Sequence, residues 1–264
     1  MRSNIKLGSI FGIQIGLHYS WFLIALLIVL SVAGQFSAAH KDWSQGLIWS
    51  LSTVTALLFF VSLLLHELSH SLVAQSHNLP VRGITLFALG GVSQIEKEAA
   101  DARTEFLVAI VGPITSLAIG VACLFAAHWC GWIPGASAAT PLVAMLVWLG
   151  YINLGLGVFN LIPGYPLDGG HVLRALIWWN TGDADRSTRI AARIGEGVGF
   201  LFIAVGVLEA FGGVGFDGLW IAFMGWFLVQ AAAESYHAVG ALPFLTSLHV
   251  ADLMSSDCPI NSRQ

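Results

Sequence analysis

Long apolar runs separated by short polar connections dominate this chain. Six of them suffice to cross about 30 Å of hydrocarbon as helices: Trp21–Ala39, Leu47–Ala74, Phe106–Ala127, Leu142–Leu161, Ile194–Phe211 and Leu219–Ala233. Two stretches keep a different rhythm. Gly8–Leu17 partly alternates and reads as a strand or an interfacial segment. Pro80–Glu96 is rich in Val, Ile, Thr and Phe, with Gly90-Gly91 interrupting it, and reads as a strand or hairpin between the second and third helices. Strand backbone at membrane depth must pair or line a wet cavity. Gly112-Pro113 should bend the third helix, and Pro163 and Pro166 break the fourth near its end. The expected fold is an α-helical polytopic membrane protein: six transmembrane helices, a short β element after the second, and room for an N-terminal strand.

Composition sharpens this picture. Only 10% of the 264 residues are charged while 56% are hydrophobic; soluble domains carry about 25% charged residues. A net charge of −4 and the lack of a basic patch argue against nucleic acid as a partner. The three cysteines, Cys123, Cys130 and Cys258, are scattered and form no CxxC, so neither a disulfide framework nor a thiolate metal site is expected. No short apolar segment with a small-residue cleavage site opens the chain, so the first long run is expected to stay as a helix. Gly195 and Gly199 have the spacing of close helix packing.

The cations set an orientation. With the N-terminus cytosolic, ten of the eleven Lys and Arg residues fall on the cytosolic side and only Lys41 falls outside. Both termini are then cytosolic. The second helix runs inward, which puts His66 roughly 12 Å below the cytosolic boundary.

The chemistry lies in that helix. His66-Glu67-Leu68-Ser69-His70 is a HExxH sequence inside a run that is otherwise hydrocarbon-like. Residues four apart share a helix face, so both imidazoles can reach one Zn²⁺ with Glu67 beside it. Ionisable groups at membrane depth cost roughly 2.5–3.5 kcal/mol each and are retained mainly for function. Such a pair needs a third protein ligand, leaving one position for water. Asp168, in the Pro- and Gly-rich segment Asn160–His171, is the best candidate, and His171 is the rival. One Zn²⁺ with Asp168 and Glu67 sums to zero charge, which is cheaper to bury than either half alone.

His66–His70, Gly90-Gly91, Gly112-Pro113 and Asn160 through Gly170 together resemble the site-2 proteases, a family of intramembrane zinc metalloproteases. The likeness extends over roughly residues 10–240. It implies His66, His70 and Asp168 as ligands of one zinc per chain and Glu67 as the catalytic base. It also makes Asn160 the residue that stabilises substrate or oxyanion. The implied function is hydrolysis of a peptide bond in or near a transmembrane segment of another membrane protein, in a prokaryotic cell membrane, with the active site toward the cytosol. Two other readings share parts of this chemistry: a membrane-anchored zinc protease cutting soluble or misfolded chains at the cytosolic face, and a non-catalytic metal transporter or scaffold. An extended substrate is expected to pair with the edge of the Ile84–Gly91 strand. Residues 1–240 form the expected protease domain. The remainder, 241–264, reads as a cytosolic linker whose Val250–Ser256 resembles the opening of a CBS domain, cut short at Gln264.

Overall fold

A computed structural model describes residues 4–88, 90–95, 97, 99–212 and 216–247. The chain divides into two compact units, the first made of residues 1–163 and 167–179, the second of residues 164–166 and 180–264.

The first unit opens with two strands, β1 (Ile5–Ile10) and β2 (Ile13–Leu17), followed by helices α1 (Ser20–Ala39) and α2 (Gln45–Ser76). A hairpin of β3 (Val81–Phe87) and β4 (Gly90–Ile95) comes next, then α3 (Ala102–Trp129), α4 (Pro141–Asn160) and α5 (Asp168–Thr181), which belongs to this unit as far as Trp179. Helix starts carry ordinary caps: Ser44, Asp101 and Thr140 accept the backbone N–H of Leu47, Thr104 and Val143, satisfying donors that have no partner within the helix. Pro141 sits in the first turn of α4, where a missing N–H costs nothing.

The Pro80–Glu96 region forms the hairpin its sequence suggests, and the N-terminal segment, read as a strand or an interfacial segment, holds two strands. They join in one sheet of order β1-β2-β3-β4, with β2 and β3 parallel and the other pairs antiparallel. This corrects one expectation. The Ile84–Phe87 strand is central rather than an edge, because Gln14–Leu17 pairs with Gly83–Leu86 on its other side. Among the described residues, β4 next to it is an outer strand of the sheet. Ile13, Leu17, Ile84 and Leu86 pack against Phe60, Leu63 and Leu68, so the sheet rests on α2 beside the HExxH sequence.

The second unit contains α6 (Ala184–Phe211) and α7 (Phe216–Ser247). Small residues bring these helices together. A Cβ at Gly199 would stand 2.8 Å from Gly225 O, and one at Gly206 would stand 2.5 Å from Gly218 O, which fixes an antiparallel register. Of the Gly195/Gly199 pair, Gly199 thus packs helix on helix, while Gly195 lies against the backbone of Gly164 and Tyr165.

Five helices among the described residues are long and apolar enough to span a membrane: α1, α2, α3, α4 and α6. The sixth expected run, Leu219–Ala233, lies within α7. Exposed Phe22, Leu23, Leu26, Leu27 and Leu30 give α1 a face suited to lipid. The CBS-like tail lies outside the described residues.

Candidate metal centre

Four-residue spacing on α2 stacks His66 and His70 on one face, and both are buried. The break after α4 supplies the third group. Its two prolines stop the helix, and the chain restarts as α5 with Asp168 as its first residue, rather than leaving it in the turn. Gly169 permits this, because a Cβ there would stand 2.5 Å from Leu161 O. Asp168 Oδ2 then lies 3.1 Å from His66 Nε2 and 3.3 Å from His70 Nε2, and the two Nε2 atoms are 3.2 Å apart.

This triangle of donor atoms fits a metal ion. In a tetrahedral zinc shell with ligands about 2.0–2.1 Å from the ion, adjacent donors stand about 3.3–3.4 Å apart. The rest of each ring supports the same conclusion. His70 Nδ1–H donates to Val108 O at 2.6 Å, which in the neutral ring frees the Nε2 lone pair that faces the triangle. Ser116 Oγ is 2.9 Å from His66 Nδ1 and can accept its hydrogen in the same way. With both Nδ1 hydrogens so engaged, two imidazole nitrogens and a carboxylate oxygen converge on one point, a donor set suited to a divalent cation. Among the described residues, His66, His70 and Asp168 form a group able to hold one metal ion.

The partners of these rings form a stripe on α3. Val108, Gly112 and Ser116 are four apart and share a face. Gly112 makes the fit possible: a Cβ there would overlap His70 Nε2 and stand 2.8 Å from His66 Nε2. In the sequence Gly112 stands out as a bend and as part of the family resemblance, while its flanking partners do not stand out. Ser116, four residues beyond Gly112, was a usable signal; the carbonyl of Val108 carries none.

Glu67 points toward β4. Ser93 Oγ donates to Glu67 Oε2 at 2.9 Å, and Ser71 Oγ donates to Ser93 Oγ at 3.1 Å. Gly91, on the same face of the strand as Ser93, leaves room for the glutamate, whose Cδ would be 2.8 Å from a Cβ at that position.

Comparison with known proteins places this arrangement. The profile of peptidase family M50 matches residues 54–131 and 128–204, more than half of the chain. The chain belongs to peptidase family M50. Relatives of this M50 chain include a provisionally named zinc metalloprotease of Synechocystis sp., 42% identical over 237 residues, 89% of this chain and 60% of the relative. Rip3 of Mycobacterium tuberculosis, also provisionally named a zinc metalloprotease, is 36% identical over 258 residues, 97% of this chain and 64% of the relative. The M50 chain therefore spans about three fifths of the length of these curated relatives. The solved site-2 protease from Methanocaldococcus jannaschii matches with a TM-score of 0.55 at 29% identity, covering 88% of this chain and 94% of that one. The resemblance to site-2 proteases seen in the motifs thus extends to the fold.

Two further residues of the M50 chain were singled out from sequence. Asn160 ends α4, and its Nδ2 donates to Leu156 O at 3.1 Å, one turn back in its own helix. Among the described residues, the hydrogen bonds of the donor triangle do not include it. His171, the rival ligand, turns away from it: its Nδ1 is 3.3 Å from Glu105 Oε1.

Proposed function

We propose that this chain is a zinc-dependent intramembrane endopeptidase that cuts a peptide bond in or near a transmembrane segment of another membrane protein. The observation that carries the proposal is the triangle of His66 Nε2, His70 Nε2 and Asp168 Oδ2, with sides of 3.1–3.3 Å, whose two imidazoles stand on α2, a helix long and apolar enough for a bilayer.

His66, His70 and Asp168 would hold the zinc. When bound, it would acidify a water and polarise the carbonyl to be attacked. Glu67 acts as base, taking the proton of the attacking water and passing it to the leaving amine. Ser93 fixes the carboxylate for this work by donating to Oε2, leaving Oε1 for the proton. Asn160 has a second Nδ2 hydrogen beyond the one given to Leu156, and it donates this to the charge developing on the carbonyl oxygen.

A transmembrane helix hides its peptide bonds, so the substrate must unwind to be cut. The outer edge of β4 offers the unwound segment backbone partners. Its Gly91 and Ser93 face Glu67, so a segment paired there lies along the base. The chain crosses the membrane six times, with Leu219–Ala233 of α7 as the sixth span. Both termini and the zinc lie toward the cytosol, consistent with the ten cations on that side.

The test is direct. Chain reconstituted in lipid is incubated with single-pass membrane proteins and the products are mapped by mass. Cleavage within or beside the spanning segment, abolished by Glu67→Gln, is expected. No cleavage of any membrane substrate, or cleavage undiminished in Glu67→Gln, contradicts the proposal.

A further inference from the structure

We infer that the buried ion pair between Glu105 and Arg174 positions Asp168 for the metal. This rests on the reading of His66, His70 and Asp168 as zinc ligands.

Asp168 begins a helix of 14 residues, and its Oδ2 serves both imidazoles only in one rotation of that helix. Gly169 sets how closely the helix start approaches Leu161 and Ile162, but a contact beside Asp168 leaves rotation about the helix axis free. A second anchor farther along α5 is required. Arg174, six residues on, supplies it: its Nη1 donates to Glu105 Oε1 at 2.7 Å. His171, between them in sequence, reaches the same oxygen at 3.3 Å. The Arg174 guanidinium also lies over the Trp178 ring, 5.4 Å from its centroid, which limits its other conformations.

Stability alone does not explain this pair. Both residues are buried, Glu105 being 6% and Arg174 9% exposed, and taking two charges out of water costs about as much as their attraction returns. Among the described residues, Glu105 Oε2 is buried and accepts no hydrogen bond, an added cost. Apolar side chains could join α3 to α5 without either cost. An ion pair fixes one geometry instead.

Its place on α3 indicates which geometry. Glu105 lies three residues before Val108, on the same stripe as Gly112 and Ser116. Ser116 meets His66, Val108 meets His70, Gly112 clears space for both rings, and Glu105 holds the helix that carries Asp168. One face of α3 thus serves all three ligands. Partners that orient ligands typically contribute 10–100-fold in metal affinity.

The experiment measures zinc affinity of the purified full chain by competition with a chelator, for wild type, Glu105→Gln, Arg174→Met, Asp168→Ala and Glu105→Gln/Asp168→Ala, with cobalt spectra recorded in parallel. Glu105→Gln keeps the shape of the side chain and is expected to weaken zinc binding about 10–100-fold while helix content is unchanged. Its cobalt spectrum should move toward that of Asp168→Ala. On the Asp168→Ala background the same substitution should change affinity less than about threefold, because the ligand it serves is already gone. Zinc affinity in Glu105→Gln within about threefold of wild type overturns the inference, and so does a loss fully additive with Asp168→Ala. If Arg174→Met does not fold, Glu105→Gln decides alone. Failure of wild type to bind zinc, or full binding by Asp168→Ala, would instead overturn the ligand reading beneath it.

Discussion

Gly112 and His70 occupy almost the same space: a Cβ on the glycine would overlap the Nε2 atom of the imidazole. Helices α2 and α3 can pack with both imidazoles between them only because this position of α3 has no side chain. Gly112→Ala should therefore push the imidazole out of the donor triangle. Overpacking of this kind costs about 1–3 kcal/mol, and here the strain falls on a ligand. Zinc content after dialysis should drop well below one per chain while helix content is kept; retention of full zinc would show that the rings can yield.

Ser93 holds the glutamate from the strand side. A hydrogen bond to a charged group contributes about 1.5–3 kcal/mol, so Ser93→Ala should lower kcat by roughly 10–100-fold. Zinc affinity should not change, since Ser93 touches no ligand atom of the triangle. Steady-state kinetics beside metal titration separates the two effects.

The β4 edge makes a prediction about substrates. Replacing alternate amide hydrogens of a cleavable peptide with methyl groups removes ladder donors on one side. Two lost bonds at about 0.5–1.5 kcal/mol each should reduce kcat/KM by roughly tenfold for one methylation phase and little for the other. Equal effects in both phases would argue against strand pairing. Proline at Thr85 or Phe87, by contrast, strikes a strand paired on both sides, and should damage the fold and the zinc site together.

Asp101 caps α3. The backbone N–H of Thr104 and then its hydroxyl hold the Asp101 carboxyl below the usual aspartate range. A folded-state value lower than the unfolded one means that this contribution is fully present above the ordinary aspartate pKa. It is lost as pH falls through the folded value. Thermal stability of wild type should therefore decline between about pH 5 and pH 3 more steeply than that of Asp101→Asn. Parallel decline would show that the cap acts without its charge.

Much of the site was legible because its signals are local. HExxH declares itself by spacing on one face of α2, and Asp168 by the proline and glycine residues that break the chain before it and let it approach. What escaped depends on partners distant in sequence. Nothing in Gln14–Leu17 says that it pairs with Gly83–Leu86 across two intervening helices, so the sequence alone does not distinguish the central strand from an edge. Val108 acts through its carbonyl, which every residue has. Glu105 and Arg174 stand 69 residues apart, and only the packing of α5 shows that they meet.

The most direct measurement is bound zinc per chain, by elemental analysis of protein purified without added metal and dialysed against a weak chelator. One zinc in wild type and in Glu67→Gln, with less than about a tenth as much in His70→Ala and Asp168→Ala, is the predicted result. Wild-type protein without zinc, or Asp168→Ala retaining it in full, would contradict the account.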